Sequence, residues 1–195
     1  MLLKELVVAP GAVRGVANAD LGIEAAMPSS KPTTELDEPY SDDSAKATTW
    51  AKASGKLRDA GVYWLSTVRA DGRPHVTPIA AVLMDGTLYF CTGPDEQKSR
   101  NLSHNRRVVV TTGSNVFTRG LDVVVEGEAK RVSDEATLGR LAELYEQKYD
   151  GAFGFRVVDG RFAHQAGDAD VYGIAPAKAY SYLRGKSGAA TRYRF

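Results

Sequence analysis

The sequence predicts a mostly β protein, a small barrel of short antiparallel strands with two or three helices. Several short runs are rich in β-branched and aromatic residues, such as VYWLSTV at 62–68 and RVVVTTG at 107–113. Two Asp-Gly pairs, at 71–72 and 85–86, are typical of tight hairpin turns. The chain has 195 residues, 43% of them hydrophobic, which is enough for the core of one domain. Short strands joined by tight turns favour a barrel.

The first 45 residues differ in composition from the remainder. The stretch PSSKPTTELDEPYSDDSA is rich in Pro, Ser, Thr and acidic residues and holds few large apolar ones. Such a segment buries too little surface to offset the entropy lost when its backbone is ordered. We therefore expect a flexible N-terminal arm over 1–45 and one β-barrel domain over 46–195.

The domain opens with a predicted helix over 47–61, in which Trp50 and Leu57 share a face and Gly61 stands at the C-cap position. Strands follow at 62–68, 75–84 and 87–92, and the short connections between them predict a three-strand meander. Pro78 lies inside the second of these strands. Because proline has no N–H for the ladder, we expect an edge or a bulge there.

The second half continues the same alternation. EQKSRNLSHN predicts a short helix, and strands are predicted at 107–113, 121–132, 170–183 and 190–195. The strongest helix prediction covers 133–151. Ser133 is its candidate N-cap, and its predicted buried stripe consists of Leu138, Leu141, Leu144 and Tyr145.

Composition and charge exclude several kinds of function. The 25 basic and 24 acidic residues nearly balance, so the overall charge gives no reason to expect nucleic acid or an anionic membrane as a partner. No stretch approaches the ~20 apolar residues of a membrane span. The single cysteine, Cys91, favours a structural role and fits a reducing cytoplasm. The three histidines are scattered, so we expect no metal site. The chain either binds without reacting or relies on a cofactor.

The stretch GPDEQKSRNL, Gly93 to Leu102, is the best candidate for binding. It turns out of a strand through Gly-Pro and opens a helix with Gln97 and Lys98, with Asn101 one turn later. A helix N-terminus, a lysine and amide donors can together hold an anion. The alternative is that Lys98 and Arg100 form only a solvated helix face.

Four pieces of the chain, GRPHVTP, TGPDEQKSRNL, DVVVEGEA and TRYRF, resemble the pyridoxamine 5′-phosphate oxidase-like family. The resemblance is greatest to its actinobacterial branch, whose members use the deazaflavin F420 or FMN, and it covers about Trp50 to Phe195. It implies a split β-barrel of the FMN-binding type, mostly β, with antiparallel strands and two to four helices. It also implies a homodimer with cofactor sites at the subunit interface.

The resemblance further implies which residues contact the cofactor. One group would lie along the ring, a second at its tail, and a third at its phosphate. The ring group consists of Thr77, Pro78, Ile79 and Ala80, with His75 on the same strand face as Thr77. The tail group consists of Cys91 and Thr92. The phosphate group consists of Gln97 and Lys98, with Asn101 one turn later.

Departures from the oxidase pattern limit the expected activity. The oxidases carry Arg where this chain has Thr77 and Lys where it has Val82, and TRYRF replaces their C-terminal substrate motif. Oxidation of pyridoxamine phosphate is therefore not expected. Asp122 stands where the oxidases often have a ring-contacting Gln, and Arg192 could hold an anion or pin the C-terminus. The roles of both stay open.

The sequence thus predicts a cytoplasmic, homodimeric oxidoreductase that uses F420, as first choice, or FMN on a small-molecule substrate. A non-catalytic flavin, F420 or haem carrier of the same fold is the alternative. A third hypothesis is an interaction domain without a cofactor.

Overall fold

The computed structural model describes residues 31–195, which form eleven strands, three α-helices and a 3-10 turn at Glu38–Tyr40. The helices are α1 (Trp50–Asp59), α2 (Gln97–His104) and α3 (Glu135–Lys148). The strands are β1 (Thr33–Leu36), β2 (Tyr63–Val68), β3 (Pro74–Ile79), β4 (Val82–Met84), β5 (Thr87–Thr92), β6 (Arg107–Thr112), β7 (Gly120–Val132), β8 (Arg156–Val158), β9 (Arg161–His164), β10 (Gly167–Arg184) and β11 (Ala189–Arg194).

The strands pair antiparallel in the order β1-β11-β10-β7-β6-β2-β3. Strand β10 also pairs with β5 and β9, which carry β4 and β8 as their hairpin partners. The sheet does not close, since β1 and β3 end the path of described strands. The predicted class, a mostly β split barrel with antiparallel strands and two to four helices, is confirmed.

Two clusters of buried side chains fill the fold. The first lies inside the main sheet under α1 and includes Leu57, Tyr63, Phe90 and Tyr193. The second lies under α3 and the β8–β9 hairpin and is built around Tyr145. Because β10 contributes Ile174 to the first cluster and Val171 to the second, one strand joins them.

Helix α3 confirms most of its predicted pattern. Leu138, Leu141 and Tyr145 are fully buried, and Leu144 is partly buried. The predicted N-cap was wrong by one residue. Asp134 caps the helix, because its carboxylate accepts a hydrogen bond from the Thr137 N–H at 2.8 Å.

The predicted meander was wrong at its middle strand. The run 75–84 breaks at Ala80–Ala81, so that β3 pairs with β2 while β4 pairs with β5. Two side chains at the C-terminal end of α3, those of Tyr145 and the C-cap residue Tyr149, hold this break. The Tyr149 hydroxyl accepts from the Ala81 N–H at 2.9 Å, and the Tyr145 hydroxyl donates to the Ala80 carbonyl at 3.2 Å. Pro78 does lie in an edge strand of the described sheet, as expected.

The last part of the predicted arm has regular structure. Strand β1 pairs with β11, and ion pairs join Asp37 to Arg192 and Glu35 to Arg194. The side chains of β1 are mostly exposed and polar. Backbone hydrogen bonds and these ion pairs, rather than buried apolar side chains, therefore hold the strand in place. Residues 1–30 of the expected arm lie outside the described residues. None of the helices in residues 31–195 is long and apolar enough to cross a membrane.

Candidate functional site

The candidate site forms where β5 ends and α2 begins. After β5, the chain turns through Gly93-Pro94, and the Glu96 N–H donates to the Gly93 carbonyl at 3.2 Å. Helix α2 then starts at Gln97 and ends at His104. It buries Lys98, Asn101 and Leu102, so polar side chains occupy a face that packs on the sheet. This burial of polar groups distinguishes α2 from a merely solvated helix.

A hydrogen-bonded chain joins α2 to β2 and β3. The Gln97 side chain donates to the Asn101 amide oxygen at 2.7 Å, and Asn101 donates to the Thr67 hydroxyl at 2.8 Å. The Thr67 hydroxyl also lies 3.3 Å from His75 Nδ1. Asn101 and Thr67 are each only 1% exposed. Three residues predicted from the sequence, His75, Gln97 and Asn101, are therefore brought together by Thr67, which the sequence reasoning missed.

Lys98 is almost fully buried, at 7% exposure, and its ammonium forms an ion pair with the Glu96 carboxylate. The other Glu96 oxygen accepts a hydrogen bond from the Gly93 N–H at 3.0 Å. Burial raises the pKa of Glu96, but the hydrogen bonds from Lys98 and Gly93 outweigh it and hold that pKa below its usual value. Glu96 therefore belongs to the site as an anion. The sequence reasoning missed it, since an acid at a helix start needs no partner to explain it.

His75 is a neutral group in this setting. Burial first, and then the positive charges of Arg69 and Lys98, lower the pKa of its imidazole. It lies on the inward face of β3, because it is the register partner of the buried Thr67. Near neutral pH it can therefore offer one ring nitrogen as donor and the other as acceptor.

The remaining predicted residues stand apart from this hydrogen-bonded chain. The Thr77 hydroxyl donates to the Pro78 carbonyl at 3.4 Å, and the Thr92 hydroxyl to the Gly93 carbonyl at 3.3 Å. Ile79 is buried in the main core, and the Ala80 carbonyl accepts from Tyr145.

Cys91 also lies outside the hydrogen-bonded chain. Burial raises the pKa of its thiol to about 12, which makes it an inert thiol. For Cys91 and for all the other predicted contact residues, the cofactor role stays a prediction.

The two residues left open by the sequence have protein partners. The Asp122 carboxylate accepts hydrogen bonds from Arg184 at 2.9 Å and from the Ser114 N–H at 3.0 Å. It lies beside a cavity of about 520 Å³ that Trp64 also lines. Arg192 pairs with Asp37 at 3.2 Å. Both residues thus hold local structure.

A second polar cluster, missed by the sequence reasoning, lies at the C-terminal end of α3. The Lys148 ammonium donates to the Tyr63 hydroxyl at 2.8 Å and to the Ala81 carbonyl at 2.9 Å. Burial lowers the pKa of Lys148 to about 7. Together with Tyr145 and Tyr149, Lys148 fixes the backbone where β3 ends.

The outer face of β2 and β3 is apolar and open. Trp64 and Val76 lie on this face, because they are the register partners of Pro78 and Ser66, and they are 50% and 54% exposed. Val62, just before β2, is 57% exposed. Beside them, a cavity of about 510 Å³ is lined partly by Ser66 and Pro74. Large exposed apolar residues that adjoin one another are typical of an interaction surface.

Across residues 31–195, no group of three or more His, Cys, Asp or Glu side chains is arranged to hold a metal ion. The arrangement around Lys98 instead offers a buried cation, two amides, a hydroxyl and a neutral imidazole. Charged, amide and hydroxyl groups of these kinds are the ones that bind phosphate oxygens in proteins. One feature limits the fit, since Glu96 already neutralises Lys98.

The fold places this chain in the class of split-barrel proteins, and its sequence identifies the family. The sequence profile of the pyridoxamine 5′-phosphate oxidase family matches residues 50–182, well over half of the chain. This protein therefore belongs to that family. No curated protein matches the sequence.

Solved structures share the fold at low identity. A conserved hypothetical protein from Mycobacterium tuberculosis, Rv2991, superposes with a TM-score of 0.58 at 19% identity, covering 73% of this chain and 89% of that one. A haem-binding protein from Mycobacterium smegmatis gives a TM-score of 0.56 at 16% identity, with coverages of 71% and 54%. An FAD-binding protein from Mesorhizobium loti gives 0.53 at 16% identity, with coverages of 76% and 96%. At these identities the likeness establishes the fold alone.

Proposed function

We propose that this protein binds a phosphorylated flavin or deazaflavin between β3 and α2 and acts as an oxidoreductase on a small molecule. The observation that carries the proposal is the burial of Lys98 beside the Gln97–Asn101–Thr67–His75 chain of hydrogen bonds. Lys98 is paired with Glu96, and a phosphate entering beside α2 would compete with Glu96 for the lysine's ammonium. The family membership and the fold shared with an FAD-binding protein support the same function.

In this proposal, F420 is the first choice of cofactor and FMN the second. Lys98, Gln97 and Asn101 would hold the phosphate, and His75 and the β3 backbone near Thr77 and Pro78 would lie against the ring. The bound cofactor would supply hydride or electron transfer. The protein residues would orient the ring and exclude water from it. No general acid is assigned to the chain.

The proposal includes a homodimer, with a second copy covering the outer face of β2 and β3. Trp64 and Val76 supply the exposed apolar contacts there, and the edge position of β3 leaves it open to a partner. The proposed location is the cytoplasm, supported by the single cysteine, a free thiol at Cys91.

The second candidate function is a non-catalytic carrier of a flavin, F420 or haem. Two observations favour it. The chain lacks the oxidase cations at Thr77 and Val82, and the same fold occurs in a haem-binding protein. Oxidation of the reduced cofactor by added acceptors distinguishes the two, because a carrier would bind the cofactor without turnover.

The direct test is the variant Lys98→Ala, titrated with F420 and with FMN while intrinsic tryptophan fluorescence is followed. Trp64 is the cross-strand partner of Pro78 and so reports on the proposed ring site. We expect cofactor binding to weaken about 10- to 100-fold, since a charge-assisted hydrogen bond contributes roughly 1.5–3 kcal/mol.

The matched control is Lys52→Ala, which removes an exposed lysine from α1 and should leave binding unchanged. Thermal melts of both variants should show that the fold is intact. Unchanged cofactor affinity in a folded Lys98→Ala protein would refute the site assignment.

A further inference from the structure

The ion pair between Glu96 and Lys98 sets the charge of the candidate site. The carboxylate accepts from Lys98 through one oxygen and from the Gly93 N–H, at 3.0 Å, through the other. Lys98 is 9% exposed and Glu96 22% exposed in their side chains, so solvent screens the pair weakly. An incoming phosphate therefore meets a lysine whose charge is already largely cancelled.

The other groups around this pair add little charge. Gln97, Asn101 and Thr67 are uncharged, and Cys91 is a thiol with its pKa raised to about 12. His75 is neutral near pH 7, since burial and the charges of Arg69 and Lys98 lower its pKa. Arg69, which follows β2, is the second cation whose charge reaches His75. The Glu96–Lys98 pair itself carries no net charge.

The possible phosphorylated ligands differ in charge at this point. A phosphomonoester such as FMN carries about two negative charges near neutral pH. The phosphate of F420, and each phosphate of FAD, is linked on both sides and carries only one. Because the lysine is already paired, this site compensates a singly charged phosphate more fully than the two charges of a monoester.

The inference from this charge difference rests on the proposed function. We propose that the Glu96–Lys98 pair makes this site select a singly charged, doubly linked phosphate over a phosphomonoester dianion. Glu96 is thus a specificity-determining residue. It lowers affinity for FMN by competing for Lys98 and by repelling the second negative charge. The same residue leaves room for F420 or a dinucleotide flavin.

The test is the substitution Glu96→Gln, which keeps the size of the side chain and removes its charge. Dissociation constants are measured by tryptophan fluorescence for riboflavin, FMN, FAD and F420 at one pH and ionic strength. We expect FMN to bind at least about tenfold more tightly to the variant than to the parent. F420 should gain only about threefold, because its doubly linked phosphate carries one charge and the electrostatic gain scales with charge at the site. FAD, whose two adjacent phosphates carry two charges together, should fall between FMN and F420. Riboflavin, which has no phosphate, should not change.

The matched control is Asp95→Asn, which makes the same charge change on the adjacent, exposed residue. It should alter none of the four constants more than about twofold, since exposed charges are screened. If Asp95→Asn matches Glu96→Gln, the effect is a general field and the ion pair is not the selector. Equal gains for FMN and F420, or no gain for FMN, would also overturn the inference.

Failure of the proposed function has a different signature. If none of the four compounds binds to the parent or to Glu96→Gln, the site does not bind flavins or deazaflavins, and both proposals fall. If the parent binds F420 or a flavin and Glu96→Gln leaves FMN unchanged, only the selection by Glu96 falls.

Discussion

Lys148 makes the stability of this fold depend on pH. Burial lowers the pKa of its ammonium from 10.5 in the unfolded reference to about 7 in the folded protein. Between these values the unfolded chain holds a proton that the folded chain lacks. The free energy of unfolding therefore rises with pH between these two values. Below about pH 7 the folded protein holds Lys148 buried and charged, and the full cost of that burial applies.

The size of the effect follows from the shift. One pKa unit corresponds to about 1.4 kcal/mol, and integration from about pH 7 to pH 8.5 gives a gain of about 1.5 kcal/mol. The comparison stops near pH 8.5 because the pKa values of Cys91 and Tyr63 are raised by burial. Those groups ionise first in the unfolded chain, so they lower the stability at higher pH.

The assay is urea unfolding, followed by tryptophan fluorescence, of the parent and of Lys148→Met at both pH values. Methionine keeps the apolar stem and removes the titrating group, so the pH-dependent gain should vanish in the variant. Lys52→Met, at an exposed position on α1, should retain it. If the parent and Lys148→Met gain equal stability from pH 7 to 8.5, the burial argument for Lys148 is wrong.

Two other predictions concern assembly and packing. Val76→Glu should convert the proposed dimer to a monomer in light scattering, whereas Val158→Glu, at a site of similar exposure on β8, should not; an unchanged mass for Val76→Glu would count against the β2–β3 interface. Gly127→Ala should lower the free energy of unfolding by about 1–3 kcal/mol, since the added Cβ would lie 2.6 Å from the Ala175 carbonyl oxygen. Gly139→Ala in α3, where a Cβ meets nothing within 4 Å, should instead raise it by about 0.5–1 kcal/mol. Chemical unfolding checks this pair, and equal effects of the two substitutions would contradict the packing argument.

Much of the fold was predictable because local signals and tertiary structure agree. The Asp85-Gly86 turn has φ of 50° and 75°, the left-handed conformation that this pair favours, and it joins β4 to β5 as expected. Helix α3 has a clear apolar stripe, and its buried residues follow it. In these segments the sequence spacing alone determines which face is buried.

The missed elements lack such patterns. The β8–β9 hairpin has strands of three and four residues, too short for a clear alternation, although its Asp159-Gly160 turn is also left-handed at 50° and 68°. That pair was the signal that could have found it. Strand β1 is mostly exposed and has Leu36 as its one apolar residue, so no apolar alternation marks it. Its pairing with β11 depends on distant parts of the chain.

The site was predictable only in part, for a similar reason. Gln97, Lys98 and Asn101 follow from their spacing at a helix start. Thr67 contacts Asn101 across 34 positions of sequence, and no local pattern indicates that contact. Glu96 is evident in the sequence, but its contacts are not. Its carboxylate binds the Gly93 N–H and Lys98, and both contacts depend on how the loop folds.

Strand β10 has a consequence for how the chain is made. It pairs with β5, β7 and β9, which precede it, so each of these three strands keeps one edge open until residues 167–184 are made. During synthesis from the N-terminus, Phe90 and Val125 emerge long before the strand that covers them. The barrel is therefore completed late, and a chain halted before Gly167 would present open strand edges and uncovered apolar side chains to its neighbours in the cell.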